Sequence, residues 1–207
     1  MYKNLFKRII DVLLAFVGLL ILSPLFFLVA LILLFTNKGS SPFFFQNRPG
    51  KNEKIFKIIK FKSMSDERDI NNKLLPDDQR ITLFGNFIRK YSLDEIPQLI
   101  NVLIGDMSLV GPRPLRVRYL SFYTETERTR HLVKPGITGL AQISGRNSLN
   151  WDDKLALDVI YVKKMSLYLD IKIILKTVLK VINGSDANLS ENIIDLDIYR
   201  NIKQQNV

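Results

Sequence analysis

Apolar residues crowd the start of the chain and then thin into periodic patterns. From Val12 to Phe35 there are 24 residues without a charge, interrupted only by Gly18 and the pair Ser23–Pro24. A straight helix of that length reaches about 36 Å, enough to cross a hydrocarbon core of about 30 Å. Residues 43–63 read as two short apolar runs around the turn signal Arg48-Pro49-Gly50-Lys51-Asn52, which predicts a hairpin or strand–loop. Residues 65–80 are polar and read as loop. From Leu83 to Ile104 apolar residues recur at helical spacing: Phe84, Phe87, Ile88 and Tyr91, then Ile96, Leu99, Ile100 and Leu103, with a break near Ser92–Leu93. Residues 108–116 contain two prolines and a glycine and predict a fixed loop; residues 117–133 return to helix. Residues 134–146, with three glycines, predict an ordered loop or short strand. Residues 152–183 predict one broken helix or two consecutive ones, and the tail beyond Asn183 reads as polar and loosely held.

Two features argue against a straight span through a bilayer. Both flanks of the apolar run are basic, so either orientation carries Lys and Arg to the wrong side. Pro24 also sits at its centre, where it lacks the N–H that would bond the Leu20 carbonyl, at about 3 kcal/mol in a helix interior. The Ser23 hydroxyl can help satisfy the backbone groups freed by a kink. A helix that enters the bilayer, bends at Ser23–Pro24 and leaves by the same face satisfies both observations. A Pro-kinked spanning helix remains the alternative; a cleaved signal peptide fits worse, because the run is too long and lacks a small-residue cleavage site.

Charge sharpens this picture. Of the net +10, residues 1–65 supply +8, from ten basic side chains against Asp11 and Glu53. Basic charge wrapped around an apolar segment favours anionic lipid headgroups over nucleic acid. Lys172, Lys176 and Lys180 repeat at i+4 opposite Ile171, Ile174, Leu175, Val178 and Ile182. That stripe describes either a solvated face or a helix lying in the headgroup plane. With no cysteine and one histidine, disulfides, thiolate metal sites and multi-histidine centres are excluded. Chemistry here runs on carboxylates, hydroxyls, amides, Lys and Arg.

Neither G-x-x-x-x-G-K-[ST] nor G-x-G-x-x-G occurs, and His131 has no nucleophile elbow to serve. Asp195-Leu196-Asp197 spells a D-x-D, but no βαβ unit precedes it and it reads as chance. Ser92-Leu93-Asp94-Glu95-Ile96-Pro97 is sharper. It is a helix start, capped at Ser92 with Glu95 or at Asp94 with Pro97 in the first turn. It also places two carboxylates about 100° apart, free to serve different partners: one as nucleophile, one as ligand to a hard cation such as Mg²⁺. A carboxylate attacking a phosphate diester needs cations nearby, and Arg89 and the proline-flanked Arg113 are candidates.

The run Asp94-Glu95-Ile96-Pro97-Gln98-Leu99, through Asn101-Val102-Leu103 and Gly105-Asp106-Met107-Ser108 to Gly111-Pro112-Arg113-Pro114, resembles the signature of the bacterial sugar transferase family, the small monotopic phosphoglycosyl transferases. Three further stretches agree. They are Lys7-Arg8 with Asp11 and Ser23-Pro24; Gln46 and Arg48-Pro49-Gly50 with Phe56-Lys57 and Lys60-Phe61-Lys62; and Lys134 to Leu140 ending in Ser144-Gly145-Arg146. The likeness covers roughly residues 3–175, departing at Ile96, where Leu is common, and at Ile104, where Lys is frequent. It implies transfer of a sugar-1-phosphate from a UDP-sugar to polyprenyl (undecaprenyl) phosphate, giving a polyprenyl diphosphate sugar and UMP. Asp94 would be the nucleophile of a covalent phosphosugar intermediate, and Glu95 would help hold Mg²⁺. Arg113 would hold phosphate, with Lys60, Arg89, Arg146 and Asp158 at or near the site, and Ser23-Pro24 would be the bend of a re-entrant helix.

The expected protein is therefore α+β and mostly helical. It has a re-entrant membrane helix over residues 1–36, a cytoplasmic catalytic domain over 37–185 and a polar tail over 186–207, on the bacterial inner membrane. The rivals are a non-catalytic membrane-anchored basic scaffold, and a glycosyltransferase or phosphatase with a plain spanning anchor.

Overall fold

The computed structural model describes residues 2–37, 41–145, 149–183 and 194–205. It is α+β and mostly helical. The apolar run forms α1 (Lys7–Thr36), with Pro24 inside it. The Leu20 carbonyl, which Pro24 cannot reach, instead accepts the Ser23 hydroxyl at 2.8 Å. Both ends of α1 are tied to the same body. At one end Lys7 Nζ lies 2.6 Å from the Asp170 carboxylate, and Arg8 donates to the Val102 and Leu103 carbonyls. At the other, the Asn37 side-chain amide donates to the Lys62 carbonyl.

Packing repeats this arrangement. Before the proline, Ala15 sits among Phe56, Ile58, Val102 and Met107; after it, Val29 and Leu33 sit among Phe61, Ile88 and Ile96. The outer face leaves Phe16, Leu20, Ile21, Phe27, Leu31 and Phe35 exposed. Only 11% of the most apolar window of α1 is buried, and by length and composition the helix can cross a membrane.

The body begins with the predicted hairpin. β1 (Phe43–Pro49) pairs antiparallel with β2 (Ile55–Phe61), in register from Phe43↔Phe61 to Pro49↔Ile55. After a mostly irregular segment come α2 (Asp77–Arg80) and α3 (Leu83–Lys90), then the break at Ser92, a 3₁₀ turn over Leu93–Glu95, and α4 (Gln98–Ile104). Neither predicted cap forms: the Ser92 side chain makes no capping bond, and Pro97 itself occupies the N-cap of α4. Ser92 is instead left-handed, at φ 51°, a conformation that costs a non-glycine residue about 1–3 kcal/mol.

β3 (Ser108–Val110) lies parallel to β4 (Gly136–Thr138). Residues 117–133 do not form the single helix expected. They divide into a 3₁₀ turn over Val117–Phe122, α5 (Glu125–Arg128) and a second 3₁₀ turn over Thr129–Leu132, because Thr124 and Glu127 make a capping box that restarts the chain. α6 (Leu140–Ser144), α7 (Trp151–Lys164) and α8 (Leu167–Ile182) follow. Within α8 only Asp170 and Ile173 are buried, and Ile171, Leu175, Val178 and Ile182 are exposed.

The tail corrects the expectation of a loosely held end. α9 (Leu196–Gln205) docks on the body, with Leu196 fully buried against Tyr119, Tyr123 and Leu155. Arg200 and Lys203 bond Asp152 at 2.8 and 2.6 Å. A short helix in polar sequence gains its stability from such partners, which are far away in the chain.

Candidate active site

Asn101 aligns the site. Almost fully buried on α4, it accepts the Ile59 N–H at 3.0 Å and donates to the Lys57 carbonyl at 2.8 Å, stitching the helix to β2. Lys60, the next residue along that strand, thereby reaches Glu95 Oε1 at 2.7 Å and Asp94 Oδ2 at 3.8 Å. Arg113 arrives from the loop after β3. That loop needs glycine: a Cβ on Gly136 would stand 2.0 Å from the Gly111 nitrogen, so the two chains approach as only bare backbone can. Arg113 Nη2 then lies 2.9 Å from the same Glu95 oxygen. Arg89, on α3, donates to Ser63 Oγ at 2.7 Å.

Glu95 is buried and shared by two cations. Burial pushes the neighbouring Asp94 carboxyl above the ordinary carboxylate range, and the charge of Glu95 pushes the same way. Lys60, Arg89 and Arg113 pull it back. Asp94 is thus a poorly solvated carboxyl among three cations.

Two cavities meet at Glu95 and Arg113. One, of about 310 Å³, is lined also by Arg48, Lys60, Gln98, Arg116, Tyr119, Trp151 and Asp195. Burial, with Arg113 and Arg116 alongside, lowers the Arg48 pKa to about 10. Arg48 Nε and Gln98 Nε2 are buried without hydrogen-bond partners among the described residues. Crowded guanidiniums and unpaired donors suit a multiply charged anion. The other cavity, of about 290 Å³, is apolar: Leu22 of α1 faces Ile96, Leu99, Ile143 and Val181, with Thr138, Thr177 and Lys180 among its polar members.

The profile of the bacterial sugar transferases matches residues 2–184. The chain belongs to that family. It is 51% identical to the uncharacterized sugar transferase EpsL of Bacillus subtilis, over 85% of this chain and 87% of that protein. The exopolysaccharide production protein ExoY of Rhizobium meliloti is 40% identical, over 83% of each. The undecaprenyl-phosphate galactose phosphotransferase of Salmonella typhimurium is 38% identical over 87% of this chain, which spans only 41% of that larger relative.

Within this transferase, Lys60, Arg89, Asp94, Glu95 and Arg113 lie close together. Asp158 does not join them. It is buried on α7, where Oδ2 accepts Arg130 Nη2 at 2.7 Å and Nε at 3.1 Å, and Arg130 in turn donates to the Arg113 carbonyl at 2.7 Å. Desolvated and committed to Arg130, Asp158 buttresses the Arg113 loop from behind rather than lining either cavity. Arg146 lies outside the described residues. Ser23 and Pro24 directly follow Leu22, which lines the apolar cavity.

Sequence reading missed the arginine-lined cavity. Arg48 reads as part of a turn signal and of a stretch that resembles the family, with no site role given to it, and the D-x-D reads as chance. Asp195 instead accepts from Tyr119 at 2.5 Å and Arg116 at 2.9 Å, and also from Arg118. Among the described residues no group of three or more His, Cys, Asp or Glu could hold a metal.

Proposed function

We propose that this chain transfers a sugar-1-phosphate from a UDP-sugar to polyprenyl (undecaprenyl) phosphate through a covalent intermediate on Asp94. Its enzyme class is that of its family, a sugar-1-phosphate transferase. The observation that carries the reading is the meeting of an arginine-lined cavity and an apolar cavity at Glu95 and Arg113. The first suits a soluble nucleoside diphosphate sugar, and the second suits an isoprenoid tail whose phosphate must reach the same point. The name of the Salmonella relative supports undecaprenyl phosphate as acceptor.

The route has two displacements. An Asp94 oxygen attacks the sugar-bearing phosphorus of the donor, the bond from that phosphorus to the bridging oxygen breaks, and UMP leaves with the bond's electrons. An oxygen of the lipid phosphate then attacks the same phosphorus; the aspartyl–phosphorus bond breaks and the carboxylate is restored. Arg113 and Lys60 offset charge on the phosphoryl oxygens, which otherwise repel a carboxylate nucleophile. Glu95, a buried carboxylate beside Asp94, would hold Mg²⁺, which takes one or two carboxylates together with substrate phosphate and water. When bound, the ion would supply further charge neutralisation at the phosphates.

The placement follows from α1. A helix whose two halves pack on one body, and whose two ends bond to it, supports a re-entrant insertion into one leaflet of the bacterial inner membrane. The body then lies on the cytoplasmic face. The exposed apolar residues of α8 beside Lys172 and Lys176 support contact with anionic headgroups. Such an enzyme performs the first membrane step of surface glycan assembly. A panel of UDP-sugars incubated with polyprenyl phosphate and Mg²⁺ tests the reading: at least one donor releases UMP and yields a lipid-linked sugar diphosphate, and release from none rejects it.

A further inference from the structure

The family match ends at residue 184, yet the arginine-lined cavity is not complete there. Part of its wall is Asp195, from the segment that leads into α9. Trp151 holds that segment by donating from its indole nitrogen to the Ile194 carbonyl at 2.8 Å. The Asp195 carboxylate gathers the Tyr119 hydroxyl, Arg116 and Arg118, and the Tyr119 and Trp151 rings meet edge to face with centroids 5.6 Å apart.

A carboxylate in a cavity built for phosphate needs a reason. Paired with Arg116 and Arg118, it keeps those guanidiniums from a phosphate and so confines a diphosphate to the region of Arg48, Lys60 and Arg113. Beside it, two flat rings and a carboxylate acceptor offer what a neutral, hydroxylated group needs: a ring face and a partner for O–H donors. We infer that Asp195 is a positioning and specificity residue for the donor, fixing its direction in the cavity and reading its uncharged portion through a segment outside the family match. This rests on the donor reading given above.

The test compares Asp195→Asn with Arg200→Gln. Arg200 ties α9 to Asp152 and Glu127 and lines neither cavity, so its variant loosens the helix without altering the wall. Asp195→Asn is expected to raise the donor KM about tenfold while leaving the KM for polyprenyl phosphate within about twofold. With Arg116 and Arg118 released from the carboxylate, inorganic pyrophosphate should inhibit this variant several-fold more strongly than wild type, and the rank order of UDP-sugars should change. Arg200→Gln should lower the melting temperature while keeping donor KM and pyrophosphate inhibition within about twofold. The inference is overturned if Asp195→Asn leaves both donor KM and pyrophosphate inhibition unchanged. It is equally overturned if Arg200→Gln reproduces the changes, because Asp195 would then act only by docking the helix. Failure of the donor reading itself is seen separately, in wild-type enzyme that releases no UMP from any donor, and it removes this inference too.

Discussion

The two cavities are nearly equal in volume, about 290 and 310 Å³, and opposite in chemistry. The apolar one is walled largely by helices, including α1 and α8, whose packed faces bring Leu22, Ile96, Leu99 and Val181 to one space. The basic one is walled by a strand hairpin that delivers Arg48 and Lys60, a proline-rich loop that delivers Arg113 and Arg116, and a C-terminal segment that delivers Asp195. Neither compartment alone can transfer a phosphosugar between a soluble and a lipid substrate. Their shared members, Glu95 and Arg113, stand beside Asp94. Under the proposed function, this arrangement keeps two substrates of unlike solubility apart except at one reacting phosphorus.

The most severe break of this arrangement is Asp94→Asn, expected to reduce turnover by about 10³-fold or more. The same variant should melt higher than wild type at pH 7. Burial raises the Asp94 carboxyl, so the fold favours its protonated form and the ionised form destabilises at neutral pH. At about pH 3, below the ordinary carboxylate pKa, both folded and unfolded chains hold that proton and the difference should vanish. Melting curves at the two pH values check the sign.

Arg113→Gln strikes a member of both cavities and should lower kcat with either substrate saturating, by about 10²-fold. A smaller and more diagnostic pair separates the compartments. Arg48→Gln should raise the donor KM about tenfold and leave the lipid KM nearly unchanged, and Val181→Trp should do the reverse. If each variant moved both constants equally, the cavities would not hold different substrates. The smallest effect on catalysis should come from Asp158→Asn. It leaves Arg130 buried without its carboxylate and should cost about 3 kcal/mol of stability in denaturant unfolding, with kcat per folded molecule changed only a few-fold.

Local pattern explains what could be read in advance. The hairpin around Arg48–Asn52, the break at Ser92 and the helix pair after Asn150 each follow from periodicity and turn chemistry within a dozen residues. The long apolar helix announced itself by hydropathy, and the Ser23 hydroxyl reaches the Leu20 carbonyl that the proline leaves without a donor. Asp94, Glu95 and Arg113 were legible because their motif is nearly contiguous. What escaped depends on distant partners. α9 forms where Leu196 meets a pocket of Tyr119, Tyr123 and Leu155. Asp158 looked like a site residue because a polar position in a motif does not reveal that Arg130 has claimed it. Arg48 and Asp195 are 147 positions apart in the chain and line one cavity, which no spacing rule connects.

The covalent step is tested most directly by intact-protein mass spectrometry after mixing wild-type enzyme with its UDP-sugar and Mg²⁺ but no polyprenyl phosphate. The account predicts one equivalent of UMP per active site and a protein heavier by one sugar phosphate, with the added mass mapping to Asp94 and absent from Asp94→Asn. UMP appearing only once the lipid is supplied, with no modified protein at any time, would contradict it.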